Sequence, residues 1–205
     1  LFRSNGRGIG DSSDETKNLL SIVQNEIDSG ASYKIDYSLK NYTDTSKLKE
    51  VLDNTNIFIM PEQESSFTFP DSAKNLIKDF VNKGGTLIQV GDIVQKGTEW
   101  LNNIFGWDLR KRGSANSSSL KLNTANAKGT VYESGPSTLR YNSVTMQIGK
   151  GSVSTFKAIY GNDYYSSVAE IGHGSGKVIY IGEDYFSHGY ATDWGEGTHR
   201  KGNWT

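Results

Sequence analysis

Apolar residues recur every three to four positions at Leu19, Leu20, Ile22, Val23 and Ile27, the spacing of one face of a helix. Ser12 and Glu15 before it have the spacing of a capping box, and Gly30 after it supplies a stop. Residues 33–39 (YKIDYSL) alternate apolar and polar and predict a strand, while Leu1-Phe2 reads as the end of an earlier one. A short helix is predicted in residues 44–54, with Leu48, Val51 and Leu52 on one face. The continuous apolar run NIFIMP, 56–61, has the pattern of a strand buried on both faces. Asp71 or Ser72 is expected to cap a helix carrying Ala73, Leu76, Ile77, Phe80 and Val81, which Gly84-Gly85 ends. TLIQVGD, 86–92, predicts another buried strand, and 99–105 a helix burying Trp100, Leu101, Ile104 and Phe105.

Strands alternating with helices across short connections predict an α/β fold built on a parallel sheet covered on both faces. From 106 to 170 the helical period disappears. Short alternating runs (SLKL, TVYE, VTMQI, TFKAIY, SSVAEI) predict a β-rich insertion packed on one side or end of that sheet. KVIYIGED then returns to the buried pattern and closes the core. The expected organisation is one domain over residues 1–205 with the insertion at about 106–170.

Composition narrows the function classes. The formal net charge is −1 with both signs interspersed, so there is no basic field for nucleic acid. No run of apolar residues approaches a membrane span. Zero cysteines exclude disulfides, thiolate metal sites and a cysteine nucleophile. The start at Leu1 without methionine and the close on HRKGNWT suggest a segment of a longer chain, and the wealth of Ser, Thr, Asn, Gly and Tyr suggests export.

In an open parallel sheet the strand carboxyl ends share one edge, where ligands bind. Glu183 and Asp184 follow the closing strand, Asp92 follows LIQV, Glu62 and Glu64 follow IFIM, and Asp11 and Asp14 follow Leu1-Phe2. Solvent at that edge is expected to keep the pair at 183 and 184 charged, with Gly182 turning the chain off the strand. Such a rim has three readings. It can bind a hard cation such as Ca²⁺, for which Glu183 and Asp184 are the candidate ligands; it can supply an acid and a base; or its acids cap helices and solvate loops, the plainest of the three.

The segment LIKDFVNKGGTLIQVGD resembles the helix, glycine turn and strand that precede the nucleophile in class I glutamine amidotransferase-like domains. GSGKVIYIGEDYF is similar to the closing strand of non-catalytic members, and NIFIMP before, with ESGPSTL to AIYG between, extends the resemblance over most of the chain. It implies a three-layer, flavodoxin-like architecture. In catalytic relatives a cysteine sits on the turn that holds Gly91 and Asp92 here, and a histidine and glutamate follow the last strand, where Glu183 and Asp184 stand. Without cysteine, that amidotransferase chemistry is excluded. The resemblance implies a non-catalytic binding or structural module of a larger exported bacterial protein, extracellular or at the cell surface, whose partners are other domains of the same polypeptide. The alternative is a carboxylate-dependent hydrolase acting on a glycan.

Other candidates carry less. GRGIG, 6–10, is one residue short of the dinucleotide fingerprint and reads as a flexible turn. His173, His188 and His199 are scattered, and no G-x-S-x-G elbow accompanies the many serines. Trp100 and Trp107 are expected to pack a helix onto the sheet, whereas Trp194 and Tyr190, in a polar tail, are candidates for stacking on a carbohydrate.

Overall fold

The computed structural model describes residues 14–36, 39, 42–61, 68–91, 96–115, 120–139 and 145–183. They form an α/β fold. In chain order its elements are α1 Asp14–Asp28, α2 Thr45–Asp53, β1 Ile57–Met60, α3 Asp71–Asn82, β2 Thr86–Val90, α4 Lys96–Phe105, β3 Arg110–Ser114, α5 Thr124–Ala127, β4 Met146–Gly149, β5 Phe156–Asn162, β6 Tyr165–His173 and β7 Gly176–Ile181. Among the described residues the strands make one sheet in the order β1-β2-β7-β6-β4-β3, with β5 paired to β6.

The sheet has two halves. β1, β2 and β7 run parallel, with Met60 opposite Gln89 and Val90 opposite Ile181, so their carboxyl ends share one edge. β6 pairs antiparallel with β7, and every further pairing is antiparallel. The β-rich stretch therefore does not pack on a side or end of a parallel sheet. It extends the same sheet, because β7 offers one edge to β2 and the other to β6.

Side-chain alternation assigns the faces. Phe58, Leu87, Val178, Tyr180, Ala169 and Ile171 enter one core with Ala73, Ile77 and Val81 of α3 and Trp100, Leu101, Ile104 and Phe105 of α4; α2 joins it through Leu48, Val51 and Leu52. Ile59 and Val90, which alternate with core positions, meet Leu19 and Ile22 of α1. Over the antiparallel half, Ile159, Tyr160 and Val168 are covered by Ala115, Leu120 and Leu139, with Leu122 and Tyr132 packed alongside.

Local expectations met several corrections. Residues 33–36 form no strand: Tyr33, Lys34 and Asp36 are exposed, so alternation here did not mark a half-buried face, although Leu39 is buried in the main core. TVYE, 130–133, is a turn closed by the Glu133 and Gly135 amides donating to the Thr130 and Tyr132 carbonyls. Pro70 occupies the N-cap of α3 in place of Asp71 or Ser72, and α4 begins at Lys96, three residues before Glu99. Gly84 does end α3, with φ at 112°. Trp100 is buried as expected, and Trp107 stacks on Phe105 with ring centroids 4.4 Å apart.

β6 explains the join between the halves. β5 runs along one of its sides from Tyr165 to Ile171. On the other side β7 pairs with Val168 to His173 and β4 with Tyr165 and Ser166, end to end. Gly182 stands at the changeover: its N–H donates to Ser167 O at 2.8 Å, and its carbonyl accepts from Met146 N at 2.6 Å.

Candidate functional site

The carboxyl edge of the parallel strands is where the sequence concentrated its candidate residues, and the backbones there lie very close. Gly91, just past β2, donates its N–H to Ile181 O at 2.6 Å. A Cβ on Gly91 would stand 2.9 Å from the Gly182 Cα, and one on Gly182 only 1.9 Å from Met146 O. Gly182 thus serves close approach of three chain segments, not a left-handed turn off the strand; it has no positive φ.

Glu183 follows directly. Its side chain is not at the solvent edge that its sequence position suggested: the residue is 2% exposed, and Oε2 accepts a 2.8 Å hydrogen bond from Thr145 Oγ1, itself buried. β7 continues into the junction between β2, β6 and β4 before the chain leaves the sheet, so burial extends two residues past the last ladder position. A buried carboxylate needs hydrogen-bond donors to offset lost hydration, and Thr145 is one.

Around this point the core is unusually polar for strand ends. Gln89 is fully buried on the same face as Tyr180, its register partner. Its Nε2 donates to Val90 O at 2.7 Å and Met60 O at 3.4 Å, while Oε1 has no partner. Gly97 at the start of α4 lies against that carboxamide, since a Cβ there would be 2.7 Å from Nε2. Among the described residues, Thr98 Oγ1, Ser167 Oγ and Gln147 Oε1 are likewise buried without a hydrogen-bond partner. Orphaned buried polar atoms cost roughly 1–3 kcal/mol each and so mark the place where the fold spends stability.

Sequence reasoning missed Gln89, Thr98, Thr145 and Ser167. One signal was visible: Gln89 interrupts an otherwise apolar strand, TLIQV. Thr145 offered none, because its pairing with Glu183 spans 38 positions of chain.

Of the predicted site residues, Glu183 is the one within the described residues. Asp184, Asp92, Glu62, Trp194 and Tyr190 lie outside them, as do Asp11, Glu64, His188, His199 and GRGIG. Asp14 is the first residue of α1. Among the described residues, no three His, Asp or Glu side chains gather as metal ligands, and no helix is long and apolar enough to cross a membrane. His173 ends β6 far from this edge, with its ring 4.9 Å from that of Phe105 and 6.0 Å from that of Trp107. Burial there, helped by the Lys78 charge, holds its pKa below the ordinary histidine value. On the other face of the sheet, burial with the Glu170 and Tyr160 charges pushes the Tyr132 hydroxyl up to about 12.

No protein-family model matches this chain, and no curated protein matches it. Solved structures do. The mmIFT52 N-terminal domain aligns over 95% of this chain and 92% of its own length, with a TM-score of 0.59 at 14% identity. The cytoplasmic protein STM3548 from Salmonella typhimurium aligns over 92% of this chain and 84% of its own length, with a TM-score of 0.57 at 12% identity. At these identities the similarity establishes the fold alone.

Proposed function

We propose that this chain is a non-catalytic recognition or architectural module of a larger exported bacterial protein, with the three-layer, flavodoxin-like arrangement of class I glutamine amidotransferase-like domains. One observation carries the reading: where the three parallel strands end, the first side chain after the Gly91–Gly182 contact is a carboxylate buried and held by Thr145. The Thr145 hydroxyl ties that carboxylate into the junction between the ends of β4 and β7, a structural use of the side chain. Zero cysteines remove the thiol that the resemblance would otherwise supply. Helices on both faces of the sheet and the alternation of β and α elements from β1 to α4 support the architecture.

In this reading Asp184, Asp92 and Glu62, which follow β7, β2 and β1 within a few residues, meet a ligand at the rim, with Trp194 and Tyr190 as the aromatic surface. The ligand is Ca²⁺, with Asp184 among its oxygens, or a carbohydrate. Extracellular or cell-surface placement and partnership with other domains of the same polypeptide complete the proposal.

The test compares the wild-type chain with Glu183→Gln and Asp184→Ala in thermal melts, with and without Ca²⁺ and across a sugar panel. A melting shift in the wild type that Asp184→Ala removes identifies a rim ligand. No shift under any condition leaves architecture as the role. Turnover of chromogenic glycosides that Glu183→Gln abolishes would overturn the proposal in favour of a carboxylate-dependent hydrolase.

A further inference from the structure

Away from the carboxyl edge, the chain carries three consecutive cations on β3, Arg110, Lys111 and Arg112. Among the described residues β3 ends the strand order of the sheet, and all five of its residues are exposed. Lys111 turns towards α4 and pairs with Glu99. Arg110 and Arg112 turn the other way. A Cβ on Gly149 of the neighbouring β4 would be 3.3 Å from Arg110 Cβ and 3.6 Å from Arg112 Nε, so both arginines flank the bare backbone of that glycine.

The register between β3 and β4 slips between Lys111 and Ser114. Such a bulge re-aims side chains. Here the Arg112 guanidinium lies over the Tyr165 ring, 5.4 Å from its centroid, which restricts the side chain while leaving its charge in place. The adjacent Tyr164 is 72% exposed. Among the described residues neither arginine has an ion-pair partner. Asp108, the acid whose charge Arg110 influences, is already bonded by the Ser152 amide and hydroxyl.

We propose that the face of β3 over Gly149 docks an extended acidic peptide segment, with alternate carboxylates on that segment meeting Arg110 and Arg112. Extended chains place every second side chain on one face, which matches two arginines two residues apart. The guanidinium fork binds carboxylates in two-point contacts. The competing role for a charged edge is to keep other strands away, and the same experiment separates the two.

Fluorescence anisotropy at about 0.15 M salt, where weak long-range attraction is largely screened, compares two labelled ten-residue peptides of equal charge: alternating Glu-Thr, and a block of Glu followed by a block of Thr. The alternating peptide is expected to bind at least about five-fold more tightly. The double variant Arg110→Ala/Arg112→Ala should weaken it by about ten-fold or more, while Lys128→Glu, elsewhere on the surface, leaves it within about two-fold; these sizes follow from one to two exposed charge contacts. Circular dichroism verifies that the variants fold. Absence of saturable binding would overturn the proposal in favour of a guarded edge. Equal affinity for the two peptides, indifference to the arginine variants, or stronger competition by oligogalacturonate than by unlabelled peptide would overturn it as well.

Discussion

Replacing Gly182 by alanine tests the geometry on which the carboxyl edge depends. The new Cβ would stand 1.9 Å from Met146 O, 2.9 Å from Met146 C and 3.0 Å from Ser167 O. All three are backbone atoms, so no side chain can swing aside. Relief requires β4 and β7 to part, which strains or breaks the bonds from Gly182 N to Ser167 O and from Met146 N to Gly182 O. Overpacking costs about 1–3 kcal/mol, and each compromised hydrogen bond adds roughly 0.5–1.5 kcal/mol. The lower entropy of unfolded alanine returns only about 0.4–1 kcal/mol. The net loss should be about 1–5.5 kcal/mol, a large share of the roughly 5–15 kcal/mol that holds a domain together. Urea denaturation followed by far-UV circular dichroism measures it directly, and the melting temperature should fall by roughly 2–22 °C. Gly113→Ala is the matched control, since nothing lies within 4 Å of its Cβ position and its φ is not positive. A loss below about 1 kcal/mol for Gly182→Ala, or an equal loss for Gly113→Ala, would refute the close-approach reasoning.

Further predictions follow the same physics. Thr145→Val removes the donor to the buried Glu183 carboxylate and should cost about 1–3 kcal/mol in urea denaturation, with Thr145→Ser recovering most of it. The depressed pKa of His173 means that the unfolded chain binds its proton at a higher pH than the folded one. Its contribution to stability is therefore complete above about pH 6.5 and is lost as pH falls through the lower folded value, so stability measured downward from pH 7 should fall less steeply in His173→Gln. Glu99 lies between Lys96 and Lys111 at the surface, and its hydrogen bonds to them hold its carboxyl below the usual range. Glu99→Gln should still cost less than about 1 kcal/mol, and raising the salt concentration should shrink the difference.

The parallel half of the fold was legible because burial on both faces writes itself as continuous apolar runs: IFIM, TLIQV and KVIYI became β1, β2 and β7 with parallel pairing. The helical period likewise marked α2 to α4, whose buried faces are the ones the spacing picked out. Pairing across the rest was not readable. TFKAIY and SSVAEI look like strands of any sheet, and nothing local says that the first pairs with the second or that the second joins β7, a contact made through Ala169 opposite Tyr180. β3 has no apolar residue to announce it, since RKRGS is exposed throughout. Glu183 was located correctly at the end of β7 but assigned the wrong surroundings. Its burial depends on Thr145 and on the convergence at Gly91 and Gly182, and contacts so distant along the chain leave no mark on local pattern.

β7, last in chain order of the described strands, is the one to which both halves of the sheet attach. Until residues 176–181 emerge from the ribosome, β2 and β6 have no strand between them, and each keeps an edge of unpaired backbone N–H and C=O groups. The nascent chain must wait in this divided condition until its final strand arrives. Truncation before Gly176 should accordingly leave a chain whose two halves do not dock and which is prone to aggregation, not one slightly smaller domain.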